Sequence, residues 1–339
     1  MITSRSRFDS LGTIVTARLI PIVALLLSGC GSSAWHDDPG SYPLWKVEGK
    51  GNTIWILGSV HMLPERAHPF PAAFDQAYED ADRLIFEVDL SETEPTALFG
   101  MMQSLMLPAG QTLEDVLSEE TWEMLEPRLD DLVEGMMTMM SAAGGDAGGE
   151  EMPGLPMGEL DPDMIKEFMK PALLRMKPWF IAFILQSQGA AGDDYKAELG
   201  VDLFYMNRAK EDEKEVSGLE TFEQQLGFLE KTASGNEDEF LRAVLEQKSS
   251  EDDMLDKLVD AWMKGDLRKL DDLMNASLKE SPEIREILLL QRNRNWVPQI
   301  EDLLNDEENY LIVVGAGHLI GEGSVIDMLR KKGYKVTRR

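Results

Sequence analysis

The sequence predicts an α/β fold, of the α+β kind in that one mixed sheet is formed from both chain ends while a large helical section fills the middle. Three observations predict it. Apolar runs with strand character stand near both termini, Leu44–Glu48, Thr53–Leu57 and Arg83–Asp89 on one side, Asn309–Val314 and Tyr334–Thr337 on the other. Residues 221–305 carry the periodicity of consecutive amphipathic helices. Two of the strands run into the same short string, Gly-x-x-His.

Taken from the amino terminus, Arg5, Arg7 and Arg18 precede the apolar run Leu19–Leu27, too short for a permanent membrane span and typical of a signal peptide over residues 1–29. It ends in Leu27-Ser-Gly-Cys30, which resembles a bacterial lipobox, so Cys30 is the expected lipidation site and palmitate an expected acyl group. Because Cys30 is the chain's one cysteine, an internal disulfide is excluded. No aspartate follows Cys30, and by resemblance to other lipoproteins this places the anchor in the outer membrane, facing the periplasm. Residues 30–42 read as a polar tether, and 43–339 as one domain with an inserted lobe.

The net charge is −29, and removing residues 1–29 takes away three Arg and one Asp, a net +2, leaving −31. So acidic a chain repels nucleic acid and anionic headgroups, which excludes nucleic-acid binding and leaves the lipid as the membrane contact. The same charge is no evidence for a metal site.

Within the domain, Gly49-Lys-Gly-Asn52 joins the first two strands as a hairpin, and the second strand enters Gly58-Ser-Val-His61. A helix is expected over Pro69–Ala81, then the strand Arg83–Asp89. Leu113–Met140 reads as helical and acidic. The Met/Gly-rich insertion at about 133–165 follows, with 141–160 as a loop; Met136, Met137, Met139 and Met140 suit a helix face better than a thioether metal site. Ala172–Gln188 reads as a buried helix, and a further helix starts at Gly200. Glu215–Ser217 is a short strand, with Gly218-Leu-Glu220 after it. At the carboxyl end Asn309–Val314 leads into Gly315-Ala-Gly-His318, then a helix over Ser324–Lys332 and a last strand.

The chemistry points to the two equivalent histidines. In open α/β sheets ligands bind beyond the carboxyl ends of the strands, where Gly58 and Gly315 let the backbone turn and send His61 and His318 into one crevice. Neutral imidazole ligates borderline divalent metals, and Glu87 and Glu220, each at a strand end, are placed to complete an open shell. Spacing alone serves two hydrogen-bonded turn histidines equally well, and Glu87 equally well as a capping or paired carboxylate. His36, in the tether, and His68, in a Pro-flanked loop, carry no comparable signal.

Gly58-Ser-Val-His61, Phe86-Glu-Val-Asp89, Gly218-Leu-Glu220, Arg292-Asn-Arg-Asn-Trp296 and Gly315-Ala-Gly-His318, in this order over residues 43–339, resemble the TraB/PrgY/GumN family, related to the Tiki proteins. The resemblance implies a fold shared with erythromycin-esterase-like and haem-binding relatives. For the Tiki branch it implies a peptidase, dependent on a divalent metal such as Mn, Co or Zn, that acts on peptides or proteins outside the membrane. Its site residues here are His61, His318 and Glu87. In the mechanism this suggests, the histidines with Glu87 or Glu220 hold the ion and the remaining carboxylate is the general base. Arg292 either stabilises the oxyanion, clamps a substrate carboxylate or forms a salt bridge to a core glutamate, and Asn293 and Trp296 support its helix. The alternative is a non-catalytic lipoprotein in which the same cleft captures haem, a metal or a peptide. A role in polysaccharide export follows from one branch's name alone.

Overall fold

A computed structural model describes residues 42–88, 100, 103–134, 136, 169–189, 194–246 and 252–339. The signal peptide, Cys30, His36, the loop over 141–160 and nearly all of the Met/Gly-rich insertion lie outside the described residues.

Strands β1 (Leu44–Glu48) and β2 (Thr53–Ser59) form the expected antiparallel hairpin, closed by a bond from the Gly49 amide to the Asn52 carbonyl at 3.1 Å. A two-residue strand β3 (Leu63–Pro64), helix α1 (Ala72–Asp80) and β4 (Arg83–Val88) follow. The helical middle contains α2 (Leu113–Val116), α3 (Glu119–Leu125) and α4 (Pro178–Gly189). Next come β5 (Tyr195–Lys196), α5 (Val201–Glu211) and β6 (Glu215–Glu220). A run of helices follows: α6 (Phe222–Ala233), α7 (Glu237–Glu246), α8 (Asp252–Met263), α9 (Leu267–Glu280) and α10 (Pro282–Arg285), a π-helical turn Glu286–Leu290, and α11 (Gln291–Leu303). Strand β7 (Tyr310–Gly315), α12 (Val325–Lys331) and β8 (Val336–Arg338) complete the chain.

Six strands make one sheet in the order β6–β4–β7–β2–β1–β8. β2 and β7, from opposite ends of the chain, pair in parallel with Ser59 opposite Gly315, and β4 and β6 add to the far side of β7, also in parallel. Buried on both faces, β2 and β7 are near-continuous apolar runs, the pattern expected of covered parallel strands. The consequence for function is directional. The carboxyl ends of four parallel strands meet at one edge, and each candidate motif stands there.

Two expectations are corrected. The strand expected over Glu215–Ser217 continues to Glu220, because its ladder with β4 aligns Gly218 with Phe86 and Glu220 with Val88; inter-strand bonding overrides the low strand propensity of glycine. The single helix expected over Ala172–Gln188 breaks at residues 174–177, where Met176 bridges to Met106, and α4 starts afresh at Pro178. Proline lacks the amide that a helix interior needs and is tolerated in a first turn. No helix among the described residues is long and apolar enough to cross a membrane.

The main core wraps the sheet and includes Phe74, Tyr78, Tyr205, Trp262 and Trp296, while the helical middle has a second core of Leu113, Leu125, Leu129, Ile181, Leu241 and Val244. Trp262, on α8, is fully buried and donates its indole N–H to the Gly58 carbonyl at 2.7 Å, tying the helical run to the end of β2. Replacing Trp262 with Phe keeps most of the ring but leaves that carbonyl unsatisfied, and is expected to cost about 1–3 kcal/mol. Urea denaturation measures it; a loss under about 0.5 kcal/mol means that the bond does not anchor α8.

Candidate functional site

Beyond the carboxyl edge of the four parallel strands lies a cavity of about 260 Å³, bordered at its polar end by Ser59, His61, Glu87, Arg292 and His318. The two histidines, 257 positions apart in the chain, therefore share one cavity.

His61 follows β2, and its Nδ1 lies 2.6 Å from Oδ2 of Asp202 on α5. The chain can approach this closely because residue 200 is glycine: a Cβ there would stand 1.9 Å from the His61 carbonyl oxygen. The Val201 amide donates to the Val60 carbonyl at 3.1 Å, docking the start of α5 against the turn. Withdrawal from water lowers the His61 pKa, but the Asp202 carboxylate outweighs it and raises the ring to about 9. Asp202 was not among the residues singled out from sequence. Its only sequence signal is Gly200-Val-Asp202 at a helix start.

His318 ends the 3-10 turn after β7 and is 4% exposed. Its Nδ1 meets the Asn293 side-chain oxygen at 2.7 Å, while the Asn293 amide nitrogen donates to the Gly323 carbonyl at 2.9 Å. That amide orientation makes Nδ1 the protonated nitrogen and leaves Nε2 as acceptor, 3.1 Å from Nη1 of Arg292. Burial, then the Arg292 charge, pulls His318 down to about 3, so its ring is neutral at physiological pH. Trp296 packs against the ring at a centroid separation of 4.3 Å. Asn293 and Trp296 thus orient His318 as well as supporting their helix.

Arg292 joins the site's charges. Its Nε donates to both Glu220 oxygens at 3.0 Å, and its Nη2 to Glu87 at 2.5 Å. Of the roles open to it from sequence, the salt bridge to a core glutamate is the one formed, with two glutamates. Burial raises the Glu87 pKa, but Arg292, the nearby histidines and the Gly315 amide at 2.7 Å outweigh it and hold the carboxyl well below its usual range. Gly315 has little room for a side chain, since a Cβ would lie 3.1 Å from that carboxylate. At Gly58 a Cβ would meet the Ala316 backbone at 3.2 Å. Glu220 is pushed upward by burial, accepts the Trp296 indole N–H at 2.9 Å and does not line the cavity. The structure therefore separates the two glutamates: Glu87 faces the cavity, and Glu220 holds Arg292 from behind. His68 is structural, with Nε2 on the Leu199 carbonyl at 2.8 Å and its ring against Phe70.

The donors suit a borderline divalent ion in kind. Both Nδ1 atoms have orienting partners, as metal-bound imidazoles do, and an ionised carboxylate lies 3.9 Å from His318 Nε2. They are not gathered into a closed shell: among the described residues no three His, Cys, Asp or Glu side chains are arranged to hold a metal ion. Arg292 instead meets both His318 and Glu87.

Residues 43–338 match the model of the TraB/PrgY/gumN family, and the chain belongs to that family. Among curated proteins it is similar to "Metalloprotease TIKI1" of Danio rerio, 24% identical over 91% of this chain and 65% of the relative, and to "Metalloprotease TIKI1" of Homo sapiens, 23% identical over 86% and 61%. It is also similar to "Uncharacterized protein YbaP" of Escherichia coli (strain K12), 26% identical over 81% of this chain and 87% of the relative. The chain spans less than two thirds of the length of these Tiki relatives. No solved structure matches it.

The two histidines shape stability against pH in opposite directions. Between about pH 3 and 6.5 the unfolded chain binds a proton that folded His318 refuses, so stability falls on acidification. Between 6.5 and about 9 folded His61 keeps a proton that the unfolded chain has lost, so stability falls as pH rises. Denaturation across this range is expected to show His318→Gln losing up to one proton's slope, ~1.4 kcal/mol per pH unit, on the acid side. Asp202→Asn should flatten the alkaline side; an unchanged alkaline limb would contradict the His61–Asp202 pairing.

Proposed function

We propose that this protein is a divalent-metal-dependent peptidase, anchored through a lipid on Cys30 and acting on peptides or proteins in the bacterial cell envelope at the outer membrane, facing the periplasm. The observation that carries the reading is that two oriented imidazoles, an ionised carboxylate and a fixed guanidinium border one cavity at the strand ends. The Tiki relatives' name as metalloproteases supports the same class.

His61 and His318, with Glu87 beside them, would hold the ion, which supplies Lewis acidity when bound. Asp202 and Asn293 hold the two Nδ1 atoms, so Nε2 is the nitrogen of each ring that would be left for an ion. Glu87 is the carboxylate that lines the cavity, so it, and not Glu220, would be the group within reach of a water's proton. Arg292, braced by Glu220 and stacked on Trp296 at 4.9 Å, offers a permanent positive charge where an oxyanion develops. Capture of a peptide without turnover is the second reading, favoured by one observation: Arg292 already compensates both carboxylates.

Turnover of a peptide library by the full-length chain is expected to need an added divalent ion and to fall by about 10²-fold or more in His61→Ala. Peptide binding with no turnover under any of Mn, Co or Zn favours capture instead. Because His61 is protonated at neutral pH, ion binding should release a proton and tighten from pH 6.5 to 9. Calorimetry in buffers of different ionisation enthalpy checks this, and binding without proton release removes His61 from the ligand set.

A further inference from the structure

Apart from the polar residues that border the cavity and Gln225, which bonds to Glu87, the wall formed by the described residues is mostly apolar, with Phe183 from α4, Phe228 from α6, Met274 and Leu278 from α9, and Leu288 and Leu289 from the π-helical turn. An apolar cavity of about 150 Å³ is enough to hold a benzene ring, so about 260 Å³ accommodates one large apolar side chain with the backbone that carries it. Size and lining agree.

The charges in the cavity argue in the same direction. The Arg292 guanidinium is shared among Glu87, Glu220 and His318, while Glu87 accepts from Arg292, Gln225 and the Gly315 amide. Among the described residues no charged side chain lines the apolar part of the cavity, so a Lys or Asp side chain entering it would be buried unpaired, which is costly. One polar group is unmatched. Ser59, at the end of β2, is 2% exposed and lines the cavity, and its hydroxyl is buried with no hydrogen-bond partner among the described residues.

The wall is built for this. A π-helical turn inserts a residue into the helix, and such turns occur often at functional sites. Here it brings Leu288 and Leu289 to the cavity while the Leu288 carbonyl accepts from Arg292 at 3.4 Å. Met274 lies over the Gly-x-x-His turn, so close that a Cβ on Gly317 would stand 2.7 Å from its methyl carbon; the thioether chain is the kind that adapts to different apolar groups.

We propose that the cavity is a specificity pocket for a large apolar side chain of a peptide, Phe, Leu or Met, with a peptide carbonyl accepting a hydrogen bond from Ser59. The inference rests on the peptide reading above but not on turnover. The test uses the full-length chain in detergent with EDTA present and acetylated, amidated hexapeptides that differ at one position, Phe, Leu, Met, Ala, Asp or Lys, in an otherwise Gly/Ser sequence. Calorimetry is expected to give Phe, Leu and Met peptides at least tenfold tighter binding than Ala, since each methylene in such a pocket is worth about tenfold or more, and Asp and Lys no tighter than Ala. Leu289→Trp, which fills the cavity, should reduce the Phe-to-Ala ratio to under about threefold. Ser59→Ala should weaken the Phe, Leu and Met peptides by a common factor of about two- to tenfold.

A flat series, or a preference for Asp or Lys, overturns the proposal; if Leu289→Trp does not fold, by circular dichroism, the wild-type series decides alone. Apolar preference in binding without turnover under any added ion leaves this pocket standing and sinks the peptidase reading. Ion-dependent cleavage indifferent to the apolar residue does the reverse.

Discussion

The Arg292 guanidinium is the interaction on which the rest of the site depends. Glu87 and Glu220, on adjacent parallel strands and 8% and 7% exposed, would repel each other in a poorly solvated edge of the sheet without a cation between them. Arg292, itself 8% exposed, uses Nε and Nη2 for the two carboxylates and Nη1 for His318 and the Leu288 carbonyl. Removing one partner from such a buried group leaves uncompensated charge, typically a cost of about 3–5 kcal/mol. The Arg292 ion pair keeps Glu87 ionised, and the Arg292 charge adds to burial in holding His318 neutral, so one side chain contributes to both the charge balance and the protonation states of the site.

The fold makes that concentration of charge possible. Four parallel strands end at one edge, each contributing a residue at or just beyond its last bonded position: Glu220 from β6, Glu87 from β4, Gly315 before His318 from β7, and Ser59 before His61 from β2. Helices cover the edge from outside. α11 delivers Arg292, Asn293 and Trp296 on one face, α5 delivers Asp202, and α8 is tied to β2 through Trp262. Each histidine is oriented by a helix distant from it in sequence, Asp202 for His61 and Asn293 for His318. That support is what ligation or proton transfer demands of an imidazole.

The sequence by itself determined the fold class and which strand ends carry the candidate site. Alternating and continuous apolar runs mark β1, β2, β4 and β7 because burial of a pleated strand imposes its period on the side chains, and Gly-x-x-His marks two strand ends because a tight turn there needs a small residue. The ordered motifs also brought His61, Glu87, Glu220, Arg292 and His318 together as candidates. What only the tertiary structure decided is how they divide the work. Glu87 and Glu220 look alike in sequence, yet one faces the cavity and the other braces Arg292, a distinction set by strand order and helix packing. Asp202 and Ser59 carry no motif of their own, because a carboxylate in a first helical turn and a serine in a strand are ordinary locally. Their roles arise from contacts 141 residues apart and from a cavity closed by distant helices, and local periodicity holds no record of either.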